Sequence, residues 1–216
     1  MADGKLPIFP LELVLYPGET IPLHIFEPRY KAMIRECISG DRPFGIVLVD
    51  GGELSDVGCI ASIREILKEY PDGRLDISVE GRQRFRLEEV DSEREFMQAK
   101  IRVLEDDAGT IDRNAQQRVI AQHMRLLELA GRDVSPSAYE GVDRISFLIA
   151  RNAGLTLTQK QSILEIPSET DRISYLVSFL ESFIPQVERI DTLRKKIGSN
   201  GHFKDFPAGL DGTGGD

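Results

Sequence analysis

Three histidines and two cysteines are the residues of this chain best suited to nucleophilic attack, proton transfer or metal binding, and their spacing decides whether such chemistry is assembled. The cysteines lie in "RECIS" and "VGCIA", and neither belongs to a CxxC pair. Structural zinc needs about four ligands close in space; Cys37, Cys59, His24, His123 and His202 are scattered along the chain. His24 sits between Leu23 and Ile25, which face the opposite way along a strand. That setting favours a hydrogen-bonded structural histidine over a ligand. His123 stands beside an apolar helical stripe and His202 in the terminal stretch, neither with an evident partner. Both cysteines have apolar neighbours and fit small buried hydrophobes, since a reactive thiol needs an electropositive, accessible setting. GxxxxGK[ST], GxSxG and HExxH are absent. No catalytic residue, metal site or cofactor is assigned.

Two charged stretches remain. "EGRQRFR" alternates so that Arg82, Arg84 and Arg86 project to one side of a strand, where guanidinium forks can grip carboxylate or phosphate. A solvated face paired with Glu80, Glu88 or Glu89 is the competing reading. In "IPLHIFEPRYKAMIREC", residues 21–37, Glu27 precedes a helix start, where a carboxylate is favourable. These charges position a helix, and no acid–base pair emerges.

The elements that carry these residues follow from periodicity. "LDISVEG", "RFRLEEV" and "MQAKIRV" alternate with period two. Turn signals separate such runs at Tyr16-Pro17-Gly18, Asp50-Gly51-Gly52 and Tyr70-Pro71-Asp72-Gly73. Short half-buried strands from Leu6 to about Leu104 predict an antiparallel sheet curled into a small barrel. Pro28 suits a first helical turn; Tyr30, Met33, Ile34 and Cys37 then form one apolar stripe, and Gly40 is a stop. After "EDDAGTID" the period becomes about 3.6. Ile120, Met124 and Leu127 mark one helix, and Ile145, Leu148 and Ile149 a second. "TQKQ" at Thr158–Gln161 reads as a capping box opening a third. A longer helix carries Ile173, Leu176, Val177, Leu180 and Ile184; Pro185 is expected to kink or end it, although "VERIDTLRKKI" can continue its path. The fold class is α+β: an N-terminal antiparallel β-barrel with one packed helix over 6–106, an α-helical bundle over 110–197, and a flexible glycine-rich tail over 198–216.

With 216 residues, 41% of them hydrophobic and 29% charged, the chain has the composition of an ordinary soluble globular protein. At this size a core needs neither disulfides nor a metal. The formal net charge of −9 counts against nucleic acid held by phosphate contacts. No apolar run approaches the roughly 20 residues of a membrane span, and prolines interrupt the N-terminus where a signal peptide would be unbroken. Two cysteines fit a reducing compartment. Cytoplasmic residence is the expectation.

"LPIFPLELVLYPGETIPLHIFEPRYKAMI", followed by "RPFGIVLVDGG", "VGCIASIREI", "PDGRLDISVEGRQRFRL" and much later "QKQSILEIPSETDRISYLVSFL", resembles the N-terminal substrate-binding domain of Lon proteases. The likeness runs in order over about residues 6–184 and is nearest to free-standing bacterial members that lack the ATPase and serine–lysine protease modules. It implies a PUA-like β-barrel followed by a helical bundle, and a part in engaging unfolded or tagged protein substrates. On that basis the chain is expected to be a non-enzymatic binding module. It would take exposed apolar, unfolded or extended polypeptide on the barrel, or where barrel and bundle meet. Phe9, Tyr16, His24, Phe26, Arg29 and Tyr30 are the candidate contacts, with Arg82 and Arg84 as polar anchors; core packing competes for each aromatic. Two other readings stay open. One is an assembly or adaptor protein whose partner is folded or is a second copy. The other is RNA binding, which some PUA-like barrels perform and which the thin supply of clustered basic residues opposes. An enzyme would need a nucleophile–base pair assembled from distant residues, which no local spacing indicates.

Overall fold

The alternating stretches form six strands: β1 (Leu6–Leu11), β2 (Thr20–Ile25), β3 (Phe44–Asp50), β4 (Glu53–Glu69), β5 (Leu75–Asp91) and β6 (Gln98–Leu104). The structure, a computed structural model, describes residues 4–107 and 112–200, with side chains as far as 193. The strands hydrogen-bond in the order β2-β5-β4-β3-β1-β6, and β6 also pairs with β5. The pairings thus return to β5 and leave β2 at the open end. One expectation is corrected: the sheet is mixed, because β1 runs parallel to β3 from Ile8↔Gly45 to Leu11↔Leu48. A parallel pair needs a long crossover rather than a hairpin. β2 and α1 (Pro28–Ser39), which lie between β1 and β3 in the chain, supply it.

Local chemistry sets the remaining geometry. Pro28 occupies the first turn of α1, whose buried residues are Tyr30, Met33, Ile34 and Cys37. Gly73 closes the β4–β5 hairpin at φ 80°, a conformation that costs glycine no steric strain, and its N–H donates to Tyr70 O at 2.8 Å. Gly81 is required for a different reason. A Cβ there would stand 2.2 Å from Tyr16 O, because the 16–19 turn lies directly on β5. Gly81 N–H donates to Glu19 O, and Gly18 N–H donates to Gly81 O, both at 2.8 Å.

The second half contains α2 (Arg113–Leu129), α3 (Ile145–Ala150), α4 (Leu157–Glu165) and α5 (Glu169–Asn200), with a 3-10 turn at Pro136–Tyr139. α2 buries Val119, His123, Leu126 and Leu127, so its inner stripe is turned slightly from the predicted one. The capping box is also shifted. "TLTQKQ" spells T-x-x-Q in two registers, and the structure uses Thr156 with Gln159. That start turns Ile163 and Leu164 inward and frees Gln161 to donate from Nε2 to Val57 O at 3.0 Å. Nor does Pro185 end its helix: α5 continues through it. Side chains serve the carbonyls around the interruption, Gln186 Nε2 donating to Ser182 O at 3.0 Å and Ser182 Oγ to Phe179 O at 2.8 Å. The first residues of the expected tail, 198–200, belong to α5; the rest of it, with His202, lies outside the described residues.

Helices and sheet share a core. Val14, Tyr16, Leu48 and Val57 from the sheet half pack in one cluster with Phe147, Ile163, Leu176 and Leu180. Tyr16 stacks on Phe147 with ring centroids 5.3 Å apart and donates its hydroxyl to Lys160 O at 3.0 Å. Burial pushes its phenol far up, so it stays protonated and serves as a donor. Among the described residues, no helix is long and apolar enough to cross a membrane.

Candidate functional site

The open edge of the sheet ends in an aromatic ledge. β2 pairs with β5 on one side, His24 opposite Asp76 and Thr20 opposite Glu80. Pro22, which lacks an N–H, is tolerated there because the other side of β2 has no neighbouring strand among the described residues. Beyond Ile25 the chain turns into α1 and leaves Phe26 57% exposed. His24 stacks on Phe26 at 5.9 Å and meets Tyr70 edge-on at 5.9 Å. Asp76 fixes both neighbours, taking His24 Nδ1 at 2.5 Å and the Tyr70 hydroxyl at 2.8 Å. The hydrogen bond from His24, then that from Tyr70, holds the Asp76 carboxyl below the usual range. Lys68 and Arg74 lie over the Tyr70 ring at 4.5 and 4.8 Å. Arg29 lies over Tyr30 at 4.6 Å and reaches Glu27 at 2.8 Å. Glu27 therefore spends its carboxylate on Arg29 and makes no side-chain cap hydrogen bond to α1. A His–Asp pair is half of an acid–base relay; among the described residues, the other contacts of His24 are the rings of Phe26 and Tyr70.

Four of the eight predicted contacts are inside the protein. Phe9, Tyr16 and Tyr30 are buried in the core. Phe9 packs on Tyr30 at 4.2 Å, and Tyr30 lies on the inner stripe of α1. Arg84 is the clearest correction, at 1% exposure. Strict alternation would place Arg82 and Arg84 on one face. The β4–β5 register instead runs from Ala61↔Gly81 to Cys59↔Arg84, so β5 advances three residues against two on β4. This bulge rolls Arg84 under the helices and leaves Arg82 outside.

Inside, Arg84 joins an ionic cluster that the sequence reading missed. Asp106 accepts from Arg84 Nη2 at 2.5 Å and Arg172 Nη2 at 2.7 Å, and Arg144 Nε lies 3.5 Å away. Arg84 Nη1 donates to Leu164 O at 2.9 Å, and Arg172 Nη1 to Ile166 O at 2.8 Å. Glu169 completes the group, accepting from Arg172 at 2.8 Å and from the Ser146 hydroxyl at 2.6 Å. Burial alone would raise the Asp106 carboxyl; the hydrogen bonds and charges of Arg172 and Arg84 outweigh it and hold the group low. β5, the segment after β6, α3 and α5 are fastened together here.

Beside this cluster a cleft of about 590 Å³ opens between sheet and helices, with Pro17, Gly18 and Arg82 on one side and Arg144, Leu148 and Arg151 on the other. Arg144 and Arg151 stand seven residues apart at the two ends of α3, a two-turn spacing that the sequence displays and that could have revealed them. Tyr70 also had a signal, its place at the base of the Pro71-Asp72-Gly73 turn. Asp106 and Arg172 had none, since only the tertiary fold joins them. Among the described residues, no group of His, Cys, Asp and Glu is placed to hold a metal ion.

Residues 5–182 match the family described as the ATP-dependent protease La (LON) substrate-binding domain. The chain is similar to Lon protease of Escherichia coli, 27% identical over 212 residues, and of Cytophaga hutchinsonii, 24% identical over 209 residues; each match covers 89% of this chain and 26% of the relative. The chain thus spans about a quarter of the length of these relatives. In three dimensions it resembles a Lon N-terminal domain protein from Xanthomonas campestris, with a TM-score of 0.65 and 24% identity, covering 81% of this chain and 97% of that one. It also resembles the N-terminal domain of Mycobacterium avium complex Lon protease, with a TM-score of 0.59 and 18% identity, covering 82% of this chain and 98% of that one.

Proposed function

The chain belongs to the Lon substrate-binding domain family, and from that premise we propose that it is a non-catalytic module that binds exposed apolar or unfolded polypeptide in the cytoplasm. The observation that carries the reading is Phe26, a large apolar ring left 57% exposed at the end of a strand whose outer edge has no neighbouring strand among the described residues. An extended segment laid along β2 gains main-chain hydrogen bonds from the edge, and an apolar side chain gains a seat on the Phe26–His24–Tyr70 ledge. Such recognition needs apolar area and orienting polar groups but no reactive residue. Arg29, three residues after Phe26 and with an exposed side chain, is the polar contact retained in this reading. In the finer description we read the sheet as a PUA-like barrel over 6–106, which the β5–β6 pairing supports, and the helices as a bundle over 110–197.

Fluorescence anisotropy with a labelled, permanently unfolded client tests the proposal. Phe26→Ser removes most of a side chain whose burial contributes about 1.5–3 kcal/mol, so affinity should fall roughly 10- to 100-fold with no change in thermal stability. Equal affinity in the variant, or no binding of any unfolded client by the wild type, sinks the reading. A second reading, association with a folded partner or another copy, draws on Ile190 and Leu193, exposed 51% and 59% and three residues apart on α5. Sedimentation over a concentration series separates the two.

A further inference from the structure

β2 joins two features. Phe26 follows its last residue, and Pro17 and Gly18 of the junction cleft precede its first. The strand is six residues long, about 20 Å at roughly 3.3 Å per residue. The cleft gathers Arg82, Arg144 and Arg151 in a protein whose formal net charge is −9. Their donors are sparsely used. Arg151 gives one hydrogen bond, Nη2 to Pro17 O at 3.4 Å, and its buried Nε has no partner. Among the described residues, Arg82 pairs with Glu80 at 3.2 Å and Arg144 with Asp106 at 3.5 Å, each through a single nitrogen. Asp106 is already engaged at shorter range by Arg84 and Arg172. Those two arginines bond carboxylates and carbonyls through both terminal nitrogens; Arg84 shares with Arg151 a buried Nε that has no partner, so the contrast lies in the terminal nitrogens.

We propose that the cleft is a carboxylate site, and that polypeptide bound along β2 carries an acidic group some six residues from the apolar residue seated on Phe26. Under-used forks in a concave site match a carboxylate with paired, charge-assisted hydrogen bonds. Three arginines against Glu80 and Asp143 in the lining leave room for a single negative group, whereas those two carboxylates and the acidic whole repel a continuous phosphate chain. The inference rests on the peptide-binding reading for the ledge, and it narrows the client from any apolar segment to one with a spaced acid.

The test uses end-capped fluorescent peptides: one with an apolar anchor and a Glu six residues away, the same with Gln, and one with the Glu two residues away. A further Gln peptide ends in a free carboxylate at the six-residue position, which separates a chain terminus from a side chain as the source. The six-residue Glu peptide should bind about tenfold more tightly than its Gln counterpart, as expected for one charge-assisted pair; the short spacing should gain nothing. Arg144→Gln with Arg151→Gln should erase the gain while leaving the Gln peptide's affinity unchanged. Arg82→Gln, at an exposed position where folding is not at stake, should reduce the gain severalfold. Equal binding of Glu and Gln peptides, or a gain that survives all three substitutions, overturns the proposal. If a peptide with one Glu and no apolar anchor binds and loses affinity in the arginine variants while no apolar peptide binds, the ledge reading fails and the cleft assignment stands. Preference for an RNA oligonucleotide over the acidic peptide refutes the carboxylate assignment.

Discussion

Replacing Asp106 with Asn removes the carboxylate that Arg84 reaches and one of the two that Arg172 reaches, while leaving the side chain's size unchanged. Both guanidiniums are almost wholly buried, at 1% and 0% exposure, so neither can recover its lost partner from water. Breaking a buried ion pair from one side costs about 3–5 kcal/mol, because the remaining charge is stranded. Two features place this case at the lower end: Arg84 keeps the carbonyl of Leu164, and Arg172 keeps Glu169. The expected loss is about 3 kcal/mol for Asp106→Asn and about 4 for Asp106→Ala, which also loses the amide's hydrogen-bonding capacity. For a chain of this size the Asp106→Asn loss lowers Tm by roughly 6–12 °C. Urea titration followed by circular dichroism gives the free energy. Arg84→Met in the Asn background should recover at least about 1 kcal/mol relative to additivity, since it removes one stranded charge. A loss below about 1 kcal/mol, with additive single substitutions, would refute the idea that this cluster fastens the halves together.

His123 supplies a pH dependence. Burial, assisted by Arg132, pushes its imidazole down to about 4 from an ordinary 6.5. The unfolded chain therefore takes up the proton first, and stability falls as pH drops from 6.5 towards 4 by up to about 3 kcal/mol, with no contribution from this group above pH 7. His123→Gln should flatten that window in urea titrations at pH 7.5, 6 and 5. Gly81→Ala drives a methyl group into Tyr16 O and should cost about 2–3 kcal/mol, read as a lower urea midpoint. Burial pushes Cys37 up to about 11 and Cys59 up to about 12. Neither thiol should react with an aromatic disulfide reagent at pH 8 in the native state, and both should react in urea.

Local chemistry was readable where one pattern admitted one answer. The α1 stripe of Tyr30, Met33, Ile34 and Cys37 is the buried face of that helix, and Pro28 opens it. Where a pattern admitted two answers, packing chose between them: "TLTQKQ" caps at Thr156 because that register seats Ile163 and Leu164. Period two alone could not foresee the extra β5 residue that separates Arg82 from Arg84. Nor could it foresee the parallel β1–β3 pair, because strand direction depends on a crossover spanning β2 and α1. The aromatic contacts divided along the same line. Phe26 alternates no differently from Phe9, yet the chain's turn into α1 exposes one while β1 buries the other.

The return of β6 to both β5 and β1 has a consequence for synthesis. β1 leaves the ribosome long before β6, yet Leu6 meets Ala99 and Pro7 meets Gln98. At about 5–20 residues per second, roughly 5–20 s pass before that seam can close. Until then an apolar leading strand waits with one flank bare, which makes the half-made chain itself a client for chaperones.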